Sequence, residues 1–300
     1  MPSTDFHPEL RRIARFLPRE PIRRSTLPLV RMLADLAARG QGAGVETLTL
    51  PSGIDIRLHR PAGVRTPAPA MLWIHGGGYI MGSARQDDAL CRRFARTLGI
   101  TVAALDYRLA PEHPYPAALE DCYSVLTWLA GLPTVESERV AIGGGSGGGG
   151  LTAALAFWAR DRGDITPVLQ VLAYPMLDDR TSDRSGMDTS GHRLWSLNSN
   201  RFGWSAYLGD ADPAVAVPAR RDDLAGLPPA WIGVGTRDLF HDEDLAYAER
   251  LKAAGVPCSV EVVDGAFHVF DLLVPKAEVS QTFFNSQCLA LRRAFAAAAD

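Results

Sequence analysis

Between residues 143 and 150 the chain reads Gly-Gly-Gly-Ser-Gly-Gly-Gly-Gly, seven glycines around a single serine. A stretch with almost no side chains has little helix or strand preference of its own, so its flanks decide what it becomes. Arg139 to Ile142, just before it, is a short β-branched run, and Leu151 to Arg160, just after it, carries apolar residues at helical spacing. The cluster is therefore read as a sharp turn from a strand into a helix around Ser146, in which the residues two before and two after it must lack side chains for the two elements to pass. That requirement restricts the chain to folds in which strands feed directly into helices.

The remaining sequence alternates in the same way. Candidate strands are Val45 to Leu50, Ile54 to His59, Ala70 to Ile74, Ile100 to Leu105, Arg139 to Ile142, Val168 to Ala173, Ala230 to Val234 and Cys258 to Val263. Helix-period stretches separate them from the third onward: Asp87 to Leu98, Ala117 to Ala130, Leu151 to Arg160, Asp242 to Ala254 and Ala277 to Ala298. Strand and helix in alternation predict a mainly parallel, eight-stranded sheet flanked by helices, an α/β architecture. Only Pro51, Ser52 and Gly53 join the first two strands, too short a connection for a parallel crossover, so those two form a hairpin. Two segments stand outside the alternation. Residues 1–43 carry helical patches around Leu10 to Phe16 and Leu29 to Ala38, and residues 178–218 begin polar and then concentrate Trp195, Phe202, Trp204 and Tyr207. Both are placed as a helical cap over the carboxyl ends of the strands, where open α/β sheets bind ligands. The aromatics, together with Tyr79, are candidate pocket walls, with core packing as the alternative.

Composition narrows the partners. The chain has 300 residues, 47% of them hydrophobic and 22% charged, so a large core is expected and disorder or a collagen-like fold is excluded. With 31 Lys+Arg against 34 Asp+Glu the net charge is −3, and no basic surplus points to nucleic acid or an anionic membrane. No uncharged apolar run reaches the roughly 18 residues of a membrane span, and the N-terminus shows no signal-peptide core, so the expectation is a cytoplasmic protein. Cys91, Cys122, Cys258 and Cys288 lie far apart with no C-x-x-C pair and read as unpaired buried thiols in a reducing compartment. The seven histidines are scattered and no H-E-x-x-H occurs, so no metal site is expected.

Gly144-Gly145-Ser146-Gly147-Gly148 fits G-x-S-x-G in the strand–turn–helix setting that this motif requires. There the serine is aimed outward as a nucleophile, and the Gly147 amide opens the helix, where it can face a developing oxyanion. Gly143, Gly145 and Gly148 also spell G-x-G-x-x-G, but a dinucleotide fingerprint belongs in the first βα turn. The acidic partner it needs would have to be Asp178 or Asp179, beyond Tyr174-Pro175. A P-loop is excluded, because neither Lys252 nor Lys276 follows a glycine. His75-Gly76-Gly77-Gly78-Tyr79, directly after a strand, bares consecutive amides that could converge on one oxygen. For base and acid, His192 sits in the irregular segment and His241 in the acidic run Asp238 to Asp244, and both read as solvent-facing. His268 follows the last strand in a loop at its carboxyl end. Asp238 follows the strand Ala230 to Val234, whereas Asp242, Glu243 and Asp244 read as the charged first turn of the next helix.

These residues resemble the hormone-sensitive-lipase-like carboxylesterases, a branch of the α/β hydrolases. His75-Gly76-Gly77-Gly78 is similar to their oxyanion motif, Asp106 to Ala118 (DYRLAPEHPYPAA) to their long signature after the fourth strand, and Leu227-Pro228-Pro229-Ala230 to their lead into the seventh. The resemblance runs from about residue 50 to 270. It implies an α/β-hydrolase fold, with a cap from about 1–43 and 178–218 and a catalytic core from about 44–177 and 219–300. It also implies Ser146 as nucleophile, Asp238 as acid, His268 as base, and Gly76, Gly77 and Gly147 as oxyanion donors. The expected activity is hydrolysis of small-molecule carboxylic esters of short to medium acyl chain without a cofactor. An amidase or lactonase would use the same groups, and a non-catalytic binding relative is the reading from another class. Family members often pair through the last strand of the sheet, so a homodimer is the assembly that the resemblance suggests. Two departures stand out. Glycines 145 and 147 occupy positions that are Asp and Ala in the family's G-D-S-A-G-G, and the acid loop reads Asp238-Leu239-Phe240 where D-P-L is usual.

Overall fold

A computed structural model gives the fold over residues 6–20, 22–38, 44–63 and 65–299. Eight strands form one sheet: β1 (Glu46–Thr49), β2 (Asp55–His59), β3 (Ala68–Ile74), β4 (Thr101–Asp106), β5 (Val135–Gly145), β6 (Gln170–Ala173), β7 (Ala230–Gly235) and β8 (Cys258–Val263). Their order across the sheet is β1-β2-β4-β3-β5-β6-β7-β8. The short Pro51–Gly53 connection makes β1 and β2 an antiparallel pair as expected, β2 also runs antiparallel to β4, and every other pairing is parallel. The predicted strands are thus present with small shifts of boundary. The largest shift is in β5, which begins at Val135 and runs through the first three glycines of the cluster.

The helices are α1 (Arg11–Ala14), α2 (Leu27–Ala38), α3 (Asp88–Leu98), α4 (Ala117–Ala130), α5 (Gly147–Arg162), α6 (Leu197–Leu208), α7 (Pro213–Ala216), α8 (His241–Ala253), α9 (Phe270–Leu273) and α10 (Glu278–Ala297). The period-2 alternation of β3 explains the layering. Ala70, Leu72 and Ile74 face a core completed by α4, α5 and α8, while Met71 and Trp73 face a second core completed by α3 and α10. Both faces are covered, which is why these strands are apolar throughout rather than alternately polar.

The two segments outside the alternation pack on each other and on the core. Arg193 donates to Ala14 O at 2.7 Å, Leu194 N to Pro18 O at 2.9 Å, and Ser199 Oγ to Ile22 O at 2.9 Å. Phe6, Leu10 and Ala14 join the core on the α3 and α10 face, so this end of the chain is built into the molecule. Of the expected cap, residues 1–5, 21 and 39–43 lie outside the described residues.

Candidate active site

Because β5, β7 and β8 run parallel in one sheet, the loops leaving their carboxyl ends open on the same edge. β5 ends at Gly145 and α5 begins at Gly147, so Ser146 alone makes the turn, with φ 56° and ψ −124°. For a residue with a side chain this is a strained conformation, held by a locked backbone. Ser146 N donates to Ala173 O, and Ser146 O accepts from Gly150 N and Met176 N, each at 3.0 Å. The flanking glycines are steric necessities. A Cβ at residue 144 would lie 2.5 Å from Gly148 O, and one at residue 148 would lie 2.1 Å from Ile74 O.

Asp238 leaves β7 and His268 leaves β8, and both arrive at Ser146. His268 Nε2 is 2.9 Å from Ser146 Oγ, and His268 Nδ1 is 2.8 Å from Asp238 Oδ2. All three residues are buried. Beside a carboxylate, Nδ1 is the nitrogen that carries the proton, which leaves Nε2 to accept from the serine hydroxyl. The other Asp238 oxygen takes the Phe240 amide at 3.1 Å, and the imidazole is held edge-on between Tyr174 and Phe240, with ring centroids 5.1 and 5.2 Å away. The line Asp238–His268–Ser146 is therefore fixed in both direction and ring plane.

Facing it is the His75–Tyr79 loop. His75 stacks on Tyr107 with centroids 4.2 Å apart, Tyr107 Oη donates to His75 O, and burial lowers the His75 pKa so that its ring stays neutral. Gly77 has φ +130°, and a Cβ there would lie 2.0 Å from Met81 O. The amides of Gly76, Gly77 and Gly147 donate to no acceptor among the described residues, so three N–H groups are free beside the serine.

A cavity of about 340 Å³ contains Ser146, Gly76, Gly77, His268 and Trp195. The other aromatics expected as pocket walls do not line it. Tyr79 stacks on Tyr207 at 4.2 Å and tilts against Trp204 at 5.1 Å, and Phe202 packs against the same core. These rings join α6 to the loop after β3, and the Tyr79 hydroxyl is committed to Met176 O at 2.8 Å. Their apolar clustering in the sequence reflects packing between elements. His192, read as solvent-facing, is buried, as are Glu243 and Asp244 in the first turn of α8. Sequence reasoning missed Trp73, Asp87 and Tyr174 as cavity residues. Trp73 looked like ordinary strand core and Asp87 like a helix start. Tyr174 follows the short β6, between β5 and β7, and so reaches the site by sheet order alone, a relation that no local pattern encodes.

Residues 71–272 match a family described as having the alpha/beta hydrolase fold. The carboxylic ester hydrolase LipN of Mycobacterium tuberculosis is 39% identical over 235 residues, covering 73% of this chain and 62% of LipN, which is less than two thirds of that protein's length. Esterase LipI of the same organism is 35% identical over 268 residues, 86% of this chain and 79% of LipI. Among solved structures, esterase LipW from Mycobacterium marinum superposes with a TM-score of 0.88 at 34% identity, covering 98% of each chain.

Proposed function

The chain belongs to the α/β-hydrolase family, in its hormone-sensitive-lipase-like branch, and from that premise we propose that it is a serine carboxylesterase acting through Ser146, His268 and Asp238. The observation that carries the assignment is the hydrogen-bonded line from Asp238 Oδ2 through His268 to Ser146 Oγ, opening on a cavity beside three uncommitted amides. Ser146 Oγ attacks the ester carbonyl carbon as His268 Nε2 takes its proton. The carbonyl oxygen becomes negative and is received by the amides of Gly76, Gly77 and Gly147. The tetrahedral adduct collapses, the C–O bond to the alcohol breaks, and His268 returns its proton to the departing oxygen. Water, deprotonated by the same imidazole, then releases the acid from the serine.

The cavity volume of about 340 Å³ suits short to medium acyl chains. Ile22 from one segment outside the alternation and Leu194 and Trp195 from the other line that cavity, which supports their role as a cap. We place the enzyme in the cytoplasm, consistent with four free thiols, of which Cys258 is only half-buried. As its assembly we propose a homodimer formed along β8, the end strand of the sheet. The test of mechanism is a chromogenic ester series of increasing acyl length on the wild type and Ser146→Ala, with stoichiometric phosphonate labelling. Turnover should fall by about four to six orders of magnitude in the variant, with the label on Ser146 alone. Activity that survives, or a label elsewhere, overturns the assignment.

A further inference from the structure

The cavity beside Ser146 contains a carboxyl group that the mechanism does not use. Asp87 ends the short turn Ala84–Asp87 before α3 and is 3% exposed. Its Oδ2 accepts from Trp73 Nε1 at 2.8 Å, while Oδ1 has no hydrogen-bond partner among the described residues. Neighbouring carboxylates are satisfied. Asp88 is gripped by Arg57 through two bonds of 2.7 and 2.6 Å, with His59 Nε2 at 3.4 Å, Asp106 takes the Ala84 amide at 2.7 Å, and Asp271 takes the Tyr174 hydroxyl at 2.8 Å. No Lys or Arg is among the described residues lining the cavity. Trp73, Tyr174 and Trp195 supply aromatic walls.

We propose that Asp87 determines substrate specificity, its free Oδ1 accepting the N–H of a protonated amine carried by the ester, so that the preferred substrates are amine-bearing, cationic esters. The inference builds on Ser146 as the nucleophile and adds the chemistry of the group the cavity selects. An alkyl chain would displace water from this acceptor and leave it unpaired, which is costly, whereas an ammonium group supplies both the donor and the missing countercharge. Aromatic faces attract the same cation through their quadrupoles. Burial pushes Asp87 up to about 7, with Asp271 on α9 and the adjacent Asp88 adding repulsion. A bound cation opposes both effects and draws the carboxyl into its ionised form.

The test uses naphthyl esters matched in length and shape, one ending in a dimethylamino group and the other in isopropyl, prepared once with this group in the acyl chain and once in the alcohol. At about pH 8, where the amine is protonated, the wild type should favour the amine ester of at least one pair by about tenfold or more in kcat/KM. In Asp87→Asn, which keeps an acceptor for Trp73, that ratio should collapse to near unity or invert. Stoichiometric labelling of Ser146 by a neutral phosphonate reports that the variant is folded. A wild type that hydrolyses both members of each pair equally, or a ratio unchanged by Asp87→Asn, overturns the amine assignment while leaving the esterase reading intact. Hydrolysis of neither member, without labelling of Ser146, overturns the esterase reading itself.

Discussion

Gly145 and Gly147 flank Ser146 symmetrically in sequence, and both depart from the pattern of the family, yet their surroundings differ. A Cβ on residue 145 would meet the Tyr174 ring at 3.3 Å and little else, and that ring can yield by a few tenths of an ångström. A Cβ on residue 147 would lie 2.8 Å from Gly78 N and 2.9 Å from Tyr79 N, backbone of the His75–Tyr79 loop itself. Gly145→Ala should accordingly hold kcat within about threefold of wild type. Gly147→Ala should push the loop from the serine and lower kcat by roughly tenfold to a hundredfold, since about 1 Å of misplacement costs that much. Ester kinetics on the two variants check the contrast, and equal effects would contradict it. The motif was legible in the sequence. Which of its glycines is indispensable depends on what approaches from the β3 loop.

Among the elements, α8 lies where the sequence placed it, but one of its acids has a role that the charge pattern did not reveal. Asp242, Glu243 and Asp244 do form its first turn, as a helix dipole favours, but Glu243 turns inward. Its Oε1 accepts from Leu177 N at 2.6 Å and Asp178 N at 3.0 Å, and its Oε2 from the Thr181 hydroxyl. One side chain thus ties down the strand exit that leads into residues 178–218. Glu243→Ala would strand three donors and should destabilise the fold by about 2–4 kcal/mol in denaturant melts. Burial raises the Glu243 carboxyl from an ordinary 4.5 to about 8, so the folded chain retains a proton that the unfolded chain releases. Its contribution is fully present below about pH 4.5 and is lost as pH rises through about 8. Glu243→Gln should flatten that part of the stability–pH curve, and an unchanged slope would show that another group carries it. Charge pattern alone could not separate the buried from the exposed acids of this turn, because both suit a helix start.

At the scale of the whole molecule, β8 is an end strand, and Val262 on it is 44% exposed. The unpaired backbone of such an edge is a template for pairing. Sedimentation should therefore give twice the 32.4 kDa of the chain, and Val262→Lys should shift the protein towards monomer. A wild type that sediments as a monomer refutes the dimer. The architecture itself was legible, because each strand and helix carries its own period and the Pro51–Gly53 link is too short for any connection but a hairpin. That Ser146, His268 and Asp238 could meet was legible too, since each follows a recognisable strand. The sequence could not say that Trp73, Asp87 and Tyr174 meet beside Ser146, nor that Tyr79, Trp204 and Tyr207 pack away from it. Local periodicity and turn chemistry act over a few residues and are written in the chain. Which distant side chains share a cavity follows from the order of strands in the sheet, and only the folded packing decides that.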